Sequence, residues 1–307
     1  MVRFILMRLL QTLVALVGIT ILIFGLVRIS GDPVMMMVTA SSTAEDIENI
    51  RRNLGLDKSV PEQFLIFLKD LSRGDLGDSL LKRRPVTEMI GEAIPNSIRL
   101  GLPSFVFGMG GALLLGVLGA TRRDTSLDNG VKLLAILGQA LPGFWVAIVA
   151  VYFFSVQWQL LPTSGLGGID HYVLPVSTMA FFLLPGMMRL VRSSMLDVLD
   201  TEYIKLARIK GLPESLVIWK HALRNAMIAP LTVAGMLFAG IITGAVIVET
   251  VFSWPGVGRL LVEAVTARDF PLVQGITLLV AVLVLGINLL VDITYAYIDP
   301  QIRYQKT

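Results

Sequence analysis

The 307-residue chain is 54% hydrophobic and only 16% charged, well below the roughly 25% charge of ordinary soluble domains, which excludes both a water-soluble globular protein and a disordered chain. It has no cysteine, so structural disulfides, thiolate nucleophiles and Cys-ligated zinc are excluded together; two histidines, His171 and His221, leave little scope for a His-built metal site. The formal net charge is +3, and where the positive residues lie says more than their sum.

About 20 apolar residues cross a bilayer, and a charge near its centre costs about 3 kcal/mol, so long uncharged stretches mark spans. The first covers residues 9–27, between Arg8 and Arg28. It exceeds the roughly 7–15 apolar residues of a signal-peptide core and is expected to be an uncleaved first helix. The following segment, 30–95, is punctuated as helices. Thr43 caps one running to Leu54 and stopping at Gly55. Pro61 starts a second, with Phe64, Leu65, Leu68 and Leu71 on one face before Gly74, and Pro85 starts a third ending before Pro95.

Residues 100–121 form the second stretch, in which Gly108, Ala112, Gly116 and Ala120 recur every four positions as a smooth helix-packing stripe. The third, 133–154, carries Gln139, Pro142 and Gly143, and the fourth, 172–188, carries Pro185 and Gly186. These prolines are expected to open the helix ladder locally, and irregular backbone at membrane depth must be buried in protein or line a cavity. Gln139, Pro142 and Pro185 are therefore candidates for a translocation path. The fifth stretch, 225–248, holds a GxxxG at Gly240 and Gly244, and the sixth is 270–291. Gln274 in the sixth joins the path candidates, and with Gln139, Thr178, Thr232, Thr243 and Asn288 it offers neutral hydrogen-bonding groups of a kind that suits a peptide backbone.

The positive residues predict orientation. Arg3 and Arg8, Arg122 and Arg123, the group Arg189, Arg192, Lys205, Arg208, Lys210, Lys220 and Arg224, and finally Arg303 and Lys306 mark one side. The opposite short connections hold only Arg259 and Arg268. Both termini are expected to be cytoplasmic; the 30–95 segment, with eight Lys or Arg, is long enough to translocate regardless of charge.

The connection 189–224 is the most informative part. Residues 202–210 read as a helix, Gly211 as a left-handed stop and Pro213 as the first turn of a second helix. Tyr203, Leu206, Ala207, Leu216, Val217 and Trp219 have little to bury against in so thin a loop, so a partner protein is the expected recipient. DNA reading by this helix-turn-helix is a poor fit, because a membrane-tethered loop has no room for the dimer such readers use. No Gly-Lys dipeptide occurs, which excludes a Walker A phosphate loop. Glu249 and Asp292 stand at span ends, as interface anchors rather than an intramembrane proton relay. Met35, Met36 and Met37, with Met187 and Met188, read as apolar filler rather than soft-metal ligands. Catalysis is not expected.

Tyr203, Ala207, Lys210, Gly211 and Leu212, followed by His221-Ala222-Leu223-Arg224-Asn225-Ala226, resemble the cytoplasmic loop of binding-protein-dependent ABC transporter permeases of the dipeptide, oligopeptide and nickel group. The resemblance extends over the chain through Gly31-Asp32-Pro33, Leu54-Gly55-Leu56-Asp57, Arg73-Gly74-Asp75-Leu76-Gly77, Phe252-Ser253-Trp254-Pro255-Gly256 and Asp299-Pro300. It implies an all-α polytopic membrane protein with six transmembrane helices in the ABC importer type I permease fold, similar to the first of two permease subunits. The loop, with Tyr203, Lys205, Ala207, Gly211, Leu212, His221, Leu223 and Asn225, would be the coupling helix that docks on a separate ATPase. Lys205 stands where the general motif has Glu, so a Glu-specific contact does not carry over.

The expected organisation is a first helix in 1–29, an extracytoplasmic helical loop in 30–95 and a five-span permease core in 96–307. Expected partners are a second homologous permease, two ABC ATPase subunits that bind ATP and magnesium, an extracytoplasmic solute-binding protein and membrane lipid, with no cofactor held by this chain and no nucleic acid. The expected solute is a short peptide, with nickel chelates or glutathione as alternatives in the same family. The rivals from other classes are a self-sufficient ion-coupled carrier and a membrane assembly protein without a transport role.

Overall fold

A computed structural model describes residues 2–29, 34, 43–53 and 55–298. The Gly31-Asp32-Pro33 and Asp299-Pro300 blocks, Leu54, Met35 to Met37, Arg303 and Lys306 lie outside the described residues, as do the side chains of Arg3, Thr243 and Asp292. The described residues are helical apart from turns and an isolated antiparallel bridge between Asp78 and Pro85. In chain order the helices are α1 (Val2–Ile29), α2 (Ala44–Asn53), α3 (Val60–Ser72), α4 (Val86–Thr121), α5 (Ser126–Ala140) and α6 (Gly143–Gln157). They continue with α7 (Asp170–Leu199), α8 (Glu202–Ile209), α9 (Glu214–Ala226), α10 (Ile228–Val251), α11 (Val257–Thr266) and α12 (Phe270–Ile298).

Four of these helices, α1, α4, α7 and α12, are long and apolar enough to cross a membrane. Two bent pairs pass the same test together: α5 with α6, bent by 103°, and α9 with the start of α10, bent by 58°. The expected stretches 9–27, 100–121, 172–188 and 270–291 fall on the four long helices, 133–154 spans the bend between α5 and α6, and 225–248 falls almost wholly within α10. The 133–154 stretch is not one straight helix, because Leu141 and Pro142 adopt extended backbone between α5 and α6. At Pro185 the outcome is the opposite: α7 runs unbroken through Pro175 and Pro185. A proline inside a helix loses a hydrogen bond and presses on the carbonyl four residues back, so the packing around Pro175 and Pro185 keeps α7 continuous against that cost.

The helix expected to end before Pro95 also continues. α4 is a single 36-residue helix through Pro95 and Pro103, and Asn96 just after Pro95 donates its amide to the carbonyls of Glu92 and Pro255.

The chain forms two compact units: residues 1–97 with 255–289, and residues 98–254 with 290–307. In the first, Phe24 of α1 meets Phe64 edge-on at 5.1 Å and stacks on Phe67 at 5.7 Å. The Arg28 guanidinium lies over the Phe24 ring and donates to Gln63. The inner face of α3 is therefore Gln63, Phe64, Phe67 and Leu71, whereas Leu65 and Leu68, expected on that face, are exposed. A second core joins Val86, Met89, Ile90 and Ala93 of α4 to Val257 and Ala264 of α11 and Leu272 and Ile276 of α12.

In the second unit the small-residue stripe of α4 packs on α7. A Cβ added at Gly108 would lie 3.0 Å from the Ala180 carbonyl oxygen, and one at Gly116 2.8 Å from the Val191 side chain, so only small residues permit this approach. The GxxxG behaves differently: a Cβ on Gly240 would meet nothing within 4 Å. Glu249, expected as an interface anchor, is fully buried near Trp254, which is also fully buried with its ring edge-on to Tyr172 at 4.7 Å.

Candidate functional site

α8 and α9 are formed and stopped by local chemistry. α8 ends in a Schellman motif: the Gly211 N–H donates to the Arg208 carbonyl and the Leu212 N–H to the Ala207 carbonyl, with Gly211 at φ +75°, where a side chain is strained. Pro213 follows as the extended cap of α9. Arg208 closes the turn with two bonds to the Glu214 carboxylate, at 3.2 and 2.8 Å. That pairing holds the Arg208 guanidinium above its ordinary range. Lys205 pairs with Glu202 at 2.7 Å, and both are exposed.

The structure brings the two halves of the loop together. The Asn225 amide donates to the Tyr203 hydroxyl at 2.8 Å and to the His221 carbonyl at 3.4 Å. Ala207, Leu212 and Leu223 pack half-buried against one apolar core, whose buried members include Ile204, Val217, Ala222 and Ala226 of the loop, Val131 and Ala135 of α5, and Val191, Met195 and Leu199 of α7. The apolar side chains expected to seek a partner therefore divide. Val217 is fully enclosed by the protein's own helices, while Tyr203, Leu206, Ile209 and Trp219 are 43–80% exposed.

Two features escaped the sequence reading. Ile204, fully buried, roots α8 in the core; its place one residue from Tyr203 on an amphipathic helix was the available signal. Residues 217–222 of α9 form a π-helical turn, and such turns recur at functional sites.

Among the path candidates, Gln139, Pro142 and Pro185 gather around the α5–α6 bend. Gly138 receives Pro185, whose Cγ would stand 2.4 Å from an added Cβ, and Gly143 lies under the Phe182 ring. The Gln139 side-chain oxygen accepts from Arg189 at 2.8 Å. Gln274 belongs to the first unit; it is buried, and its Nε2 has no hydrogen-bond partner among the described residues.

A cleft of about 360 Å³ opens in the first unit, lined by Lys82, Arg84, Glu92, Asn96, Arg259 and Glu263 among others. Arg84 pairs with Glu92 at 2.6 Å, and Lys82 and Arg259 both reach Glu263. The loop carrying Lys82 is anchored by the buried Asp269, which accepts from the Ser79 hydroxyl and the Leu80 and Leu81 N–H groups.

Comparison with known proteins fits this arrangement. Residues 112–304 match the family described as binding-protein-dependent transport system inner membrane component, and residues 1–101 match its N-terminal domain. A Brucella abortus (strain 2308) chain named as a peptide transport system permease protein is 40% identical over 313 residues, covering 99% of this chain and 100% of that one. The dipeptide transport system permease protein DppB of Escherichia coli (strain K12) is 36% identical with full coverage of both chains. The glutathione transport system permease protein GsiC of Pectobacterium atrosepticum is 38% identical over 306 residues, covering 99% of this chain and all of that one. A solved amino acid ABC transporter chain superposes with a TM-score of 0.56 at 15% identity, over 69% of this chain and 94% of that chain, a likeness of fold. The chain belongs to the inner membrane components of binding-protein-dependent transport systems, a family of ABC transporter permeases.

Proposed function

We propose that this permease carries short peptides or peptide-like solutes inward, as one of two similar permease subunits powered by two separate ABC ATPase subunits and supplied by an extracytoplasmic binding protein. Support for the solute class comes from full-length likeness to permeases named for peptides, dipeptides and glutathione. Neutral groups fit that chemistry: an amide such as Gln139 or Gln274 hydrogen-bonds a peptide backbone without a net charge that would hold it too tightly to leave. A buried donor without a partner costs about 1–3 kcal/mol, so Gln274, whose Nε2 lacks one among the described residues, is a reasonable contact for a passing carbonyl. Gln139, Pro142 and Pro185 at the bend and Gln274 in α12 are assigned to the translocation path.

The ATPase is assigned to dock on α8–α9. The observation that carries this is the division of the loop, rooted through Ile204, Val217 and Ala222 while Tyr203, Leu206, Ile209 and Trp219 remain exposed. Lys205, Ala207, Gly211, Leu212, His221, Leu223 and Asn225 shape that surface. Hydrolysis belongs to the ATPase chains, which bind ATP and magnesium, and this chain holds no cofactor. Both termini and the α8–α9 loop are cytoplasmic in this reading, and residues 30–95 are extracytoplasmic.

A strain lacking this chain, supplied with a required amino acid only as di- or oligopeptides, tests the solute. Lost growth that returns with the free amino acid is the expected result. Intact peptide use with a fall in nickel-dependent activity would overturn the peptide assignment. Peptide uptake that persists without ATP and collapses with the proton gradient would favour an ion-coupled carrier.

A further inference from the structure

A buried carboxylate of the second unit, outside the docking and path residues named above, joins α5 to α7. Asp128, at the third position of α5, is 0% exposed. Its carboxylate accepts from Arg192 Nε at 2.7 Å and Nη2 at 2.9 Å, from Lys132 Nζ at 2.8 Å and from the Asp124 N–H at 3.0 Å. Thr125 caps the same turn by accepting from the Asp128 N–H. Gly119 of α4 makes the space: a Cβ there would stand 3.4 Å from Arg192 Cδ and 3.5 Å from Asp128 Oδ1.

We propose that Asp128 and Arg192 are positioning residues for transport, clamping α5 to α7 so that movement imposed on α8–α9 reaches the α5–α6 bend as one rigid displacement. The proposal rests on α8–α9 being the ATPase-docking element. Three relationships carry it. Arg192 sits on α7 seven residues before its end at Leu199, and α8 begins three residues later. One apolar core is shared by α5, α7 and the loop, through Val131, Ala135, Val191, Met195, Ile204 and Val217. At its far end α5 is gripped by α7 again, through Gly138 against Pro185 and Gln139 with Arg189, immediately before the chain turns by 103°.

A two-point Arg–carboxylate contact resists sliding and rotation in a way that an apolar contact does not. Lys132 belongs to the same helix as Asp128, so the Arg192 contact is the part of this cluster that ties α5 to α7, and losing either Asp128 or Arg192 releases that tie. A pair of this kind suits a joint that must transmit force without yielding.

The test uses the complete transporter, with its ATPase subunits, in lipid nanodiscs. A nitroxide is attached at Trp145→Cys on α6, a half-exposed position in a chain whose own sequence has no other cysteine. Its spectrum is recorded with and without ATP and vanadate, and ATPase recovery in the purified complex is measured alongside. In the native background ATP is expected to change the spectrum. In Asp128→Asn the ATPase is expected to be recovered, while the spectral response falls to about a fifth or less, a coupling effect of ordinary size. Arg192→Lys keeps the charge but gives up the two-point grip, and is expected to lose about half the response; it carries the test where Asp128→Asn does not assemble. An unchanged response in either variant, or no response in the native background, overturns the clamp. Failure of the docking reading is seen separately, as full ATPase recovery with Gly211→Val.

Discussion

The Asn225 side-chain amide donates to the Tyr203 hydroxyl at 2.8 Å, joining residues 22 positions apart near the start of α8 and the end of α9. This contact fixes how the exposed apolar side chains between them are presented. Tyr203→Phe keeps the ring and removes the acceptor, so a net loss of about 0.5–1.5 kcal/mol is expected. Thermal unfolding of the purified transporter should show a small drop for Tyr203→Phe, and Asn225→Ala should cost less in that background than in the native chain. Additive losses would mean that the two residues act independently.

Gly211 stands at φ +75° in the turn between α8 and α9. Alanine there is expected to cost about 1 kcal/mol and valine more, since a β-branched residue is nearly excluded from that region. Membrane insertion, read by extraction resistance, should be unchanged in Gly211→Val, while co-purified ATPase falls severalfold. A Cβ at Gly211 would meet nothing within 4 Å, so the effect isolates backbone conformation from packing.

Phe182 covers Gly143 so closely that a Cβ there would lie 2.0 Å from the ring. Gly143→Ala is therefore expected to destabilise the transporter by about 1–3 kcal/mol through overpacking. Phe182→Ala in the same chain should restore part of the loss. Equal stability of Gly143→Ala and the native chain would show that the 103° bend at this point opens freely.

Asp269 holds the loop beginning at Ser79 through one hydroxyl and two backbone N–H groups. Asp269→Ala leaves those donors without their acceptor, at a cost of about 1–3 kcal/mol. Limited proteolysis of the purified transporter should then cut near Lys82 to Arg84 severalfold faster. Unaltered cleavage would contradict the anchoring role.

The spans were legible because an uncharged stretch of bilayer length has few other uses, and the loop was legible because Gly211 and Pro213 act locally. What the sequence did not reveal depended on partners far along the chain. Pro142 breaks a helix while Pro95 and Pro185 do not, and the difference lies in surroundings such as the Phe182 ring over Gly143 and the Gly138 notch that receives Pro185. Asp128 reads locally as an ordinary first-turn acid. Only folding brings it to Arg192, 64 residues away. The same holds for the loop: amphipathic spacing marked apolar residues, and only the packed core separates Ile204 and Val217 from the exposed Ile209 and Trp219.

The central claim, an importer permease that meets its ATPase through α8–α9, is tested most directly by cross-linking from two exposed isoleucines. Ile209, on α8, is 80% exposed, and Ile169, in the connection before α7, is 87% exposed. Each is replaced by cysteine in this otherwise cysteine-free chain and fitted with a short photoreactive group in the assembled transporter. The account predicts an adduct with the ATPase subunit from Ile209→Cys, strengthened or weakened by ATP, and none from Ile169→Cys. An ATPase adduct from position 169, or none from position 209 in a transporter that hydrolyses ATP and carries solute, would contradict it.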